Sequence, residues 1–326
     1  MGKLIVTEYV SLDGVMQAPG GGEEFEHAGW SFAVDRGADG VAYKLDETRR
    51  SDALLFGRTT YDAMAAAWPH MSGEVAERFN SMPKFVVSST LADAGWDNSE
   101  ILRGDLTEEV HRLKRRFKGD VVVHGSAQLV QALVRLDLVD ELRLMVFPVS
   151  LGSGKRLFGD ADEMKRFRLV GSSVVGDGIA VLTYRPVYEY VVSQRIDAAV
   201  DAVWRAWTRP DEYGTWFNAV PGSVFLDVRP GGRWKLVLRS DGGEAPELLS
   251  GSYLDVVPQE KLVISTTFAG GDTVMDIALA PDGTGTRVEI RQTCASVGER
   301  DGGREGSLML LEWCSTYLAG RAAVER

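Results

Sequence analysis

Three short stretches of this sequence place glycine, hydroxyl side chains and a cation directly after an apolar run. They are Gly57-Arg58-Thr59, Ser88-Ser89-Thr90 and Gly125-Ser126-Ala127-Gln128. Where a buried strand turns into a helix, as predicted at Gly57 and at Gly125, the first N–H groups of the helix are unpaired, and these groups attract an anion. Arg58 adds a planar cation whose donors suit phosphate oxygens. Gly125-Ser126 alone is better explained as a glycine turn with a capping serine, but the three stretches together predict a phosphate-bearing cofactor.

Two well-known phosphate motifs do not fit the sequence. Gly152-Ser153-Gly154-Lys155 is similar to part of a phosphate loop, but Val149 stands where that loop needs glycine. Arg156 also stands where a serine or threonine would bind magnesium. No G-x-G-x-x-G pattern follows a predicted strand. The predicted cofactor site therefore depends on the three stretches described above.

The elements around these stretches alternate between strand and helix. Strands are predicted at residues 3–10, 53–57, 84–87, 121–124 and 142–149, and helices at 32–50, from 58, at 106–118 and from 126. Asp105, with Glu108 three residues later, predicts the start of the third of these helices. Gly176-Asp177-Gly178 predicts a closing antiparallel hairpin of strands 167–175 and 179–184. This order predicts an α/β domain with a mostly parallel sheet, whose ligands bind beyond the carboxyl ends of the strands.

The composition excludes several classes of protein. The chain has 326 residues, a net charge of −11 and 44% hydrophobic residues, which indicates two domains of ordinary globular composition. Both halves are acidic, so neither nucleic acid nor an anionic membrane is an expected partner. The cysteines, Cys294 and Cys314, form no metal-ligand or disulfide pattern, and no metal site is expected. The start lacks a signal-peptide pattern and no apolar run reaches membrane-spanning length, so we expect a cytoplasmic protein.

Five motifs follow one another in the first half. They are Ser11-Leu12-Asp13-Gly14, Gly57-Arg58-Thr59-Thr60-Tyr61, Ser88-Ser89-Thr90, His124-Gly125-Ser126 and Phe147-Pro148-Val149-Ser150-Leu151-Gly152. In this order they resemble the dihydrofolate-reductase-like family that includes the riboflavin-biosynthesis reductase domain, and the resemblance covers residues 1–186. It implies that NADPH is held by the Arg58-Thr59 turn, the Ser88 turn and the helix start at Gly125, with Arg58 and the Ser88 region at the phosphates, including the 2′-phosphate.

The sequence departs from the family pattern in two respects. His124 precedes Gly125 where dihydrofolate reductases have two adjacent glycines, although the turn itself is expected to form. No residue is assigned as the substrate-anchoring carboxylate, and Asp13 and Asp46 are candidates for which turn and surface roles fit better. Trp30 and Trp68 are candidates for lining a substrate pocket, with packing as the alternative. His124 fits a turn residue better than a general acid, so the catalytic residues stay unknown and water is a sufficient proton source.

The second half begins after a short join at Arg185-Pro186-Val187. A strand at 188–196 and a helix from Asp197 to Pro210 precede six strands, at 225–229, 232–238, 249–257, 261–268, 273–280 and 286–293, and a final helix at 305–324. This order predicts an α+β helix-grip fold, in which a curved antiparallel sheet wraps the last helix and often leaves an apolar cavity. Trp216, Trp234 and Phe268 are candidates for lining that cavity, with a filled core as an equal alternative.

Four motifs of the second half point to one superfamily. They are Val203-Trp204-Arg205-Ala206-Trp207-Thr208, Pro230-Gly231-Gly232-Arg233-Trp234, Gly251-Ser252-Tyr253 with Pro258, and Gly285-Thr286-Arg287. They resemble the START-like superfamily, specifically the homologues of the heat-shock-protein ATPase activator, over residues 187–326. Such a resemblance identifies a fold and leaves the ligand open.

The two halves together predict an NADPH-dependent reductase joined to a small-molecule-binding domain. Its substrate would be a small heterocyclic or carbonyl compound, similar to a riboflavin precursor or a pteridine, and the second domain would take an apolar ligand. The alternative is a non-catalytic small-molecule-binding or stress-response protein that keeps the reductase-like fold, and a co-chaperone is the least supported class. The resemblance of the first half also implies a homodimer.

Overall fold

The chain divides into two units, Met1–Pro186 and Val187–Arg326. The structure, a computed structural model, describes residues 2–159, 164–239, 248–268, 271–294 and 296–324. Within these residues, no helix combines the length and apolar character needed to cross a membrane.

The first unit contains a mostly parallel sheet with helices between its strands. Its strands are β1 (Leu4–Ser11), β2 (Ser51–Gly57), β3 (Lys84–Val87), β4 (Ser99–Leu102), β5 (Asp120–His124), β6 (Glu141–Phe147), β7 (Arg166–Val175) and the first part of β8 (Ile179–Ile196). Its helices are α1 (Gly37–Arg50), α2 (Arg58–Ala67), α3 (Glu74–Ser81), α4 (Leu106–Arg116) and α5 (Ala127–Arg135). Two short 3₁₀ helices cover Trp30–Ala33 and Trp68–His70.

The strand order places the three predicted turns at neighbouring strands. The order is β4-β3-β2-β5-β1-β6-β8, parallel from β4 to β6 and antiparallel between β6 and β8. Strand β7 pairs with β8 as a hairpin. These observations confirm the predicted α/β fold with its antiparallel C-terminal hairpin.

Alternate residues of the central strands face two separate layers of helices. Leu4 and Val6 of β1 pack in a cluster with Leu113 of α4 and Leu133 of α5. Ile5, between them, packs in a second cluster that includes residues of α2 and α3. A strand buried on both faces must be apolar at nearly every position, which explains the continuous apolar runs of the sequence.

Several element boundaries differ from the sequence-based prediction. The final helix begins at Val297 instead of residue 305, and the strand predicted at 225–229 covers only Phe225–Leu226. The helix predicted at 32–50 is a 3₁₀ turn at Trp30–Ala33 followed by α1, because Val34 is extended (φ −127°) and Gly37 has a positive φ of 63°. Helix α4 ends two residues before the predicted residue 118, since Phe117 is extended. Its start is confirmed: the Asp105 side chain accepts the N–H groups of Thr107 and Glu108.

The predicted join at residues 185–187 is part of a strand. Strand β8 runs from Ile179 to Ile196, and its first part pairs with β6 up to Tyr184. Its second part pairs with β14 (Gly285–Cys294) from Tyr188 onward. Pro186, which has no N–H group, lies between the two paired segments, so the strand loses no ladder hydrogen bond there.

The second unit contains an antiparallel sheet and a long final helix. Its elements after β8 are α6 (Val200–Thr208), α7 (Pro210–Trp216), β9 (Phe225–Leu226), β10 (Arg233–Val237), β11 (Leu248–Val257), β12 (Lys261–Phe268), β13 (Gly271–Asp282), β14 and α8 (Val297–Val324). The strands follow the order β8-β14-β13-β12-β11-β10-β9. Leu311, Cys314 and Leu318 of α8 pack against this sheet and against α6. This is the predicted helix-grip fold.

Candidate functional site

The carboxyl ends of β2, β3 and β5 lie side by side. Gly57 at the end of β2 pairs with Val87 at the end of β3, and Leu55 of β2 pairs with Val123 of β5. The three predicted cofactor-binding stretches follow these strand ends directly. The structure therefore brings residues 57–59, 88–90 and 125–128 to one edge of the sheet, where ligands of parallel sheets bind.

The first and third of these turns touch each other. A Cβ atom on residue 57 would lie 2.4 Å from Ser126 Oγ, and a Cβ atom on residue 125 would lie 3.0 Å from the Thr60 side chain. The Ser126 hydroxyl donates a hydrogen bond to Thr60 Oγ1 at 2.8 Å. Glycine is thus required at 57 by space, and at 125 both by space and by its positive φ of 76°.

Ser126 occupies an unusual backbone conformation at the start of α5. Its φ is 69°, in the left-handed region, and its side chain makes no capping hydrogen bond to the helix. The predicted serine cap is therefore absent, because the hydroxyl is engaged by Thr60. A non-glycine residue with positive φ stores strain, and such residues cluster at ligand sites.

Arg58 links the first turn to the second. Its Nη1 donates to Thr90 Oγ1 at 2.7 Å, and its Nε lies 3.4 Å from Asp62 Oδ2 on the next turn of α2. Ser88 is buried, and its hydroxyl accepts the Leu91 N–H at 3.0 Å. In contrast, Arg58 and three hydroxyl residues of these turns, Thr59, Ser89 and Thr90, are exposed. A cation and several hydroxyls thus face solvent beside two helix starts, which is a donor set suited to phosphate.

Asp13, a candidate substrate residue, joins two loops of the protein. Its carboxylate accepts the Ser11 hydroxyl at 2.7 Å and the N–H groups of Leu151 and Gly152 at 3.1 and 2.8 Å. These hydrogen bonds, the one from Ser11 first, lower the pKa of Asp13 to about 2. The carboxylate holds the turn against the loop that follows β6, as the alternative interpretation of Asp13 stated.

The two tryptophans proposed for a substrate pocket lie in different places. Trp30 is 6% exposed, packs edge-on against Phe147, and its Nε1 donates to Gln17 O at 2.8 Å. Its indole therefore belongs to the core. Trp68 is partly buried, and its ring lies 4.5 Å from that of Phe79, which in turn lies 5.2 Å from the ring of His124. Of the two, Trp68 is the one that the structure places near the end of β5.

A buried group of ionisable side chains lies behind these turns. Glu47 of α1 is 1% exposed. It accepts hydrogen bonds from Lys44 Nζ and from Thr7 Oγ1, and its other oxygen lies 3.6 Å from Arg143 Nη1. Burial opposes ionisation of Glu47, but the positive charge of Lys44 above all holds its pKa below the usual range. Burial, and then the charge of Lys44, lower the pKa of His124 to about 3, so this imidazole is neutral.

Glu8 connects the middle of β1 to the third turn. It is 6% exposed, and its Oε1 accepts the Gly125 N–H at 2.7 Å. Burial raises the pKa of Glu8 to about 8, although the Gly125 N–H and the charge of Lys44 act in the opposite direction. Sequence reasoning missed Glu8 and Glu47. The available signals were two adjacent polar residues, Thr7 and Glu8, inside an apolar strand and a Lys-Glu pair three residues apart on α1.

Two of the three candidate cavity residues of the second unit, Trp216 and Trp234, are buried residues with hydrogen-bonded Nε1 atoms. Trp216 Nε1 donates to Ala206 O at 2.8 Å, and Trp234 Nε1 donates to Ser265 O at 3.0 Å. Both rings belong to one apolar cluster with Leu311 of α8. The side chain of Phe268 lies outside the described residues. The geometry of the two tryptophans matches the filled-core alternative.

The fold and the turns define the class of this protein. It is a dihydrofolate-reductase-like α/β domain followed by a START-like antiparallel domain. A family model, the RibD C-terminal domain, matches residues 2–181, and the chain belongs to that family. A second model, the activator of Hsp90 ATPase homolog 1-like protein, matches residues 197–313. This tandem match confirms the pair of families that the sequence resembles.

Individual relatives cover the two units separately. The uncharacterized protein YyaP of Bacillus subtilis is 31% identical over 145 residues, which are 43% of this chain and 76% of YyaP. A solved structure from Shewanella sp. PV-4, named for riboflavin biosynthesis, is 24% identical with a TM-score of 0.48 and covers 56% of this chain and 98% of its own. An AHSA1-like protein from Aeromonas hydrophila is 20% identical with a TM-score of 0.37 and covers 41% of this chain and 94% of its own.

Proposed function

We propose that the first unit is an NADPH-dependent reductase that transfers a hydride to a small heterocyclic or carbonyl substrate. A riboflavin precursor or a pteridine-like compound fits this class. The second unit would serve as an accessory domain for a small apolar ligand. The alternative is a non-catalytic binding or stress-response protein that keeps the same fold.

The proposal is carried by one observation, the contact between the first and third turns. Gly57 and Gly125 leave no room for a Cβ atom, so two helix starts approach each other closely. The backbone N–H groups at these starts can face the same phosphate group. Membership in the RibD C-terminal domain family supports the reductase interpretation.

Arg58 and Thr90 supply the remaining phosphate donors. The guanidinium is about half exposed, at 46% of its side-chain surface, and is already oriented by Thr90 Oγ1 and Asp62. A planar cation held in this way can donate two hydrogen bonds to the 2′-phosphate of NADPH. Because NADH lacks this phosphate, the contact favours NADPH. When bound, NADPH would supply the hydride, while the protein orients the substrate and excludes water.

Nucleotide titration tests the proposal. The melting temperature and tryptophan fluorescence of the full chain would be measured with NADPH and with NADH. A ligand at a hundredfold excess over its Kd stabilises the folded state by about 2.7 kcal/mol. We expect stabilisation by NADPH, a much weaker effect of NADH, and a large loss of NADPH affinity in Arg58→Ala.

Arg50→Ala is the matched control. Arg50 is also exposed and also pairs with an aspartate four residues away on its helix, Asp46. It should bind NADPH as the wild type does. If neither nucleotide stabilises the wild type, the reductase proposal is wrong. If NADPH binds but no heterocyclic or carbonyl compound in a panel is reduced, the non-catalytic alternative is favoured.

A further inference from the structure

The Glu8 carboxyl group is held at the turn that opens α5. Its Oε1 accepts the N–H of Gly125, the residue whose missing side chain lets the turn approach Thr60. Thr7, next to it on β1, pairs in register with His124, so Glu8 lies just beyond the last pair of the β1–β5 ladder. A carboxyl group is thus fixed against the backbone that would meet the cofactor.

The charged groups around Glu8 are already engaged elsewhere. On α1, Lys44 Nζ donates to Glu47 and to Thr7 Oγ1; the charge of Lys44 lowers the pKa of Glu8, and the charge of Glu47 acts in the opposite direction. On β6, Arg143 is paired with Asp120 and Glu141 at 3.1 and 2.8 Å. On β5, His124 is neutral because burial lowers its pKa. A buried carboxyl group in these surroundings is more stable with a proton than without one.

Building on the proposed function, we infer that Glu8 couples the binding of NADPH to the uptake of one proton by the first unit. The cofactor phosphates bring negative charge to the turns, and negative charge favours the protonated carboxyl group. Coupling of this kind is reciprocal, so protonation of Glu8 must also strengthen NADPH binding. The inference deepens the proposed site by naming the group that couples cofactor binding to pH.

The test measures the affinity for NADPH between pH 7 and pH 10. This window avoids titration of the 2′-phosphate, whose second pKa is about 6. For the wild type we expect affinity to fall above pH 8, by up to about tenfold for each pH unit. Calorimetry in buffers of different ionisation enthalpy should detect proton uptake on binding. In Glu8→Gln, the part of the pH dependence of NADPH affinity that is due to Glu8 should disappear. The proton uptake by Glu8 on binding should disappear as well.

Glu8→Gln keeps an oxygen acceptor for the Gly125 N–H, so its fold is expected to be retained, and its melting temperature checks this. Subtracting the pH dependence of NADPH affinity in Glu8→Gln from that in the wild type also removes the titration of other groups, such as buried Lys84. The affinity of Glu8→Gln for NADPH at pH 7 should differ little from that of the wild type, because Glu8 is expected to be protonated at that pH.

Infrared spectroscopy of the wild type gives an independent readout that does not depend on the variant. The carbonyl stretch of a protonated carboxylic acid should be present at pH 7 and should be lost as the pH rises through 8. Binding of NADPH with no pH dependence, an unchanged slope in Glu8→Gln, or absence of the infrared band at pH 7 would overturn the inference alone. Failure of the wild type to bind NADPH would overturn the proposed function together with it.

Discussion

Two regions of the molecule bury polar groups in different ways. One is the carboxyl ends of β2, β3 and β5, and the other is the interior of the second unit. Behind the three turns, Glu8, Glu47 and Lys44 are ionisable groups held by a few hydrogen bonds, and burial raises the pKa of Glu8. In the second unit, Trp216 and Trp234 are large apolar rings whose N–H groups are satisfied by backbone carbonyls. Ionisable groups of the first kind can respond to ligands and protons, whereas the apolar rings of the second unit mainly stabilise a fold.

The largest expected effect concerns the packing of the second unit. Leu311 of α8 is fully buried in its core, so Leu311→Ala should lower the free energy of unfolding of this unit by about 2–5 kcal/mol. NADPH affinity should not change if the two regions have separate roles. Urea denaturation and nucleotide titration measure the two quantities.

Met309→Ala is the control for this variant, because Met309 lies on the same helix and is exposed. Its effect on unfolding should stay within about 0.5 kcal/mol. A large loss of NADPH binding in Leu311→Ala, at a temperature where the protein is folded, would contradict the separation of roles.

A smaller effect is expected at the contact between the first and third turns. The added Cβ of Gly57→Ala would lie 2.4 Å from Ser126 Oγ and 2.6 Å from Ser126 Cβ. Relief of this overlap should cost about 1–3 kcal/mol of stability and should displace the α5 start, so NADPH affinity should fall as well. Thermal unfolding and nucleotide titration check both effects.

Gly95→Ala provides the comparison, since a Cβ atom at residue 95 meets no atom within 4 Å. It should be close to neutral in both measurements. Equal behaviour of the two variants would show that the close approach at Gly57 has no importance for the site.

The smallest effect is expected for Asp13, the carboxylate that holds two loops. The pKa of Asp13 is lowered to about 2, below the ordinary value of 3.8. Its contribution to stability is therefore complete above pH 4 and is lost as the pH falls through 2. The difference in unfolding free energy between the wild type and Asp13→Asn should shrink between pH 5 and pH 2.

Asp46→Asn serves as the comparison, because Asp46 is an exposed residue of an ion pair on α1. Its effect on the unfolding free energy at pH 7 should be small, because an exposed ion pair contributes little to stability. NADPH affinity at pH 7 should be retained in Asp13→Asn. A large loss would return Asp13 to the candidate site, against the interpretation of a residue that joins loops.

The turns were predictable because their signals are local. A strand, a glycine and a hydroxyl within a few residues indicate a helix start, and the parallel order of the strands then brings Gly57, Ser88 and Gly125 together. The helix-grip order of the second unit was predictable for the same reason. Its turns are marked by glycine and proline. Its strands and its final helix differ clearly in the spacing at which apolar residues recur.

The buried acid and the roles of the aromatic residues were not predictable in this way. Glu8 matters because Gly125, more than a hundred residues later, donates to it, and no spacing in the sequence encodes that contact. Trp30 and Trp68 have similar sequence surroundings, because both are aromatic residues in loops or short helices. Their difference arises from their tertiary neighbours, Phe147 for Trp30 and Phe79 for Trp68.

The left-handed backbone at Ser126 limits how this chain can evolve. Serine tolerates a φ of 69° only with strain, and glycine, asparagine or aspartate would adopt it more easily. Aspartate would place a negative charge where phosphate is proposed to bind, and β-branched residues are excluded by their shape. Glycine and asparagine would therefore relax the turn at residue 126 without adding a charge, but each would remove the hydroxyl group that donates to Thr60.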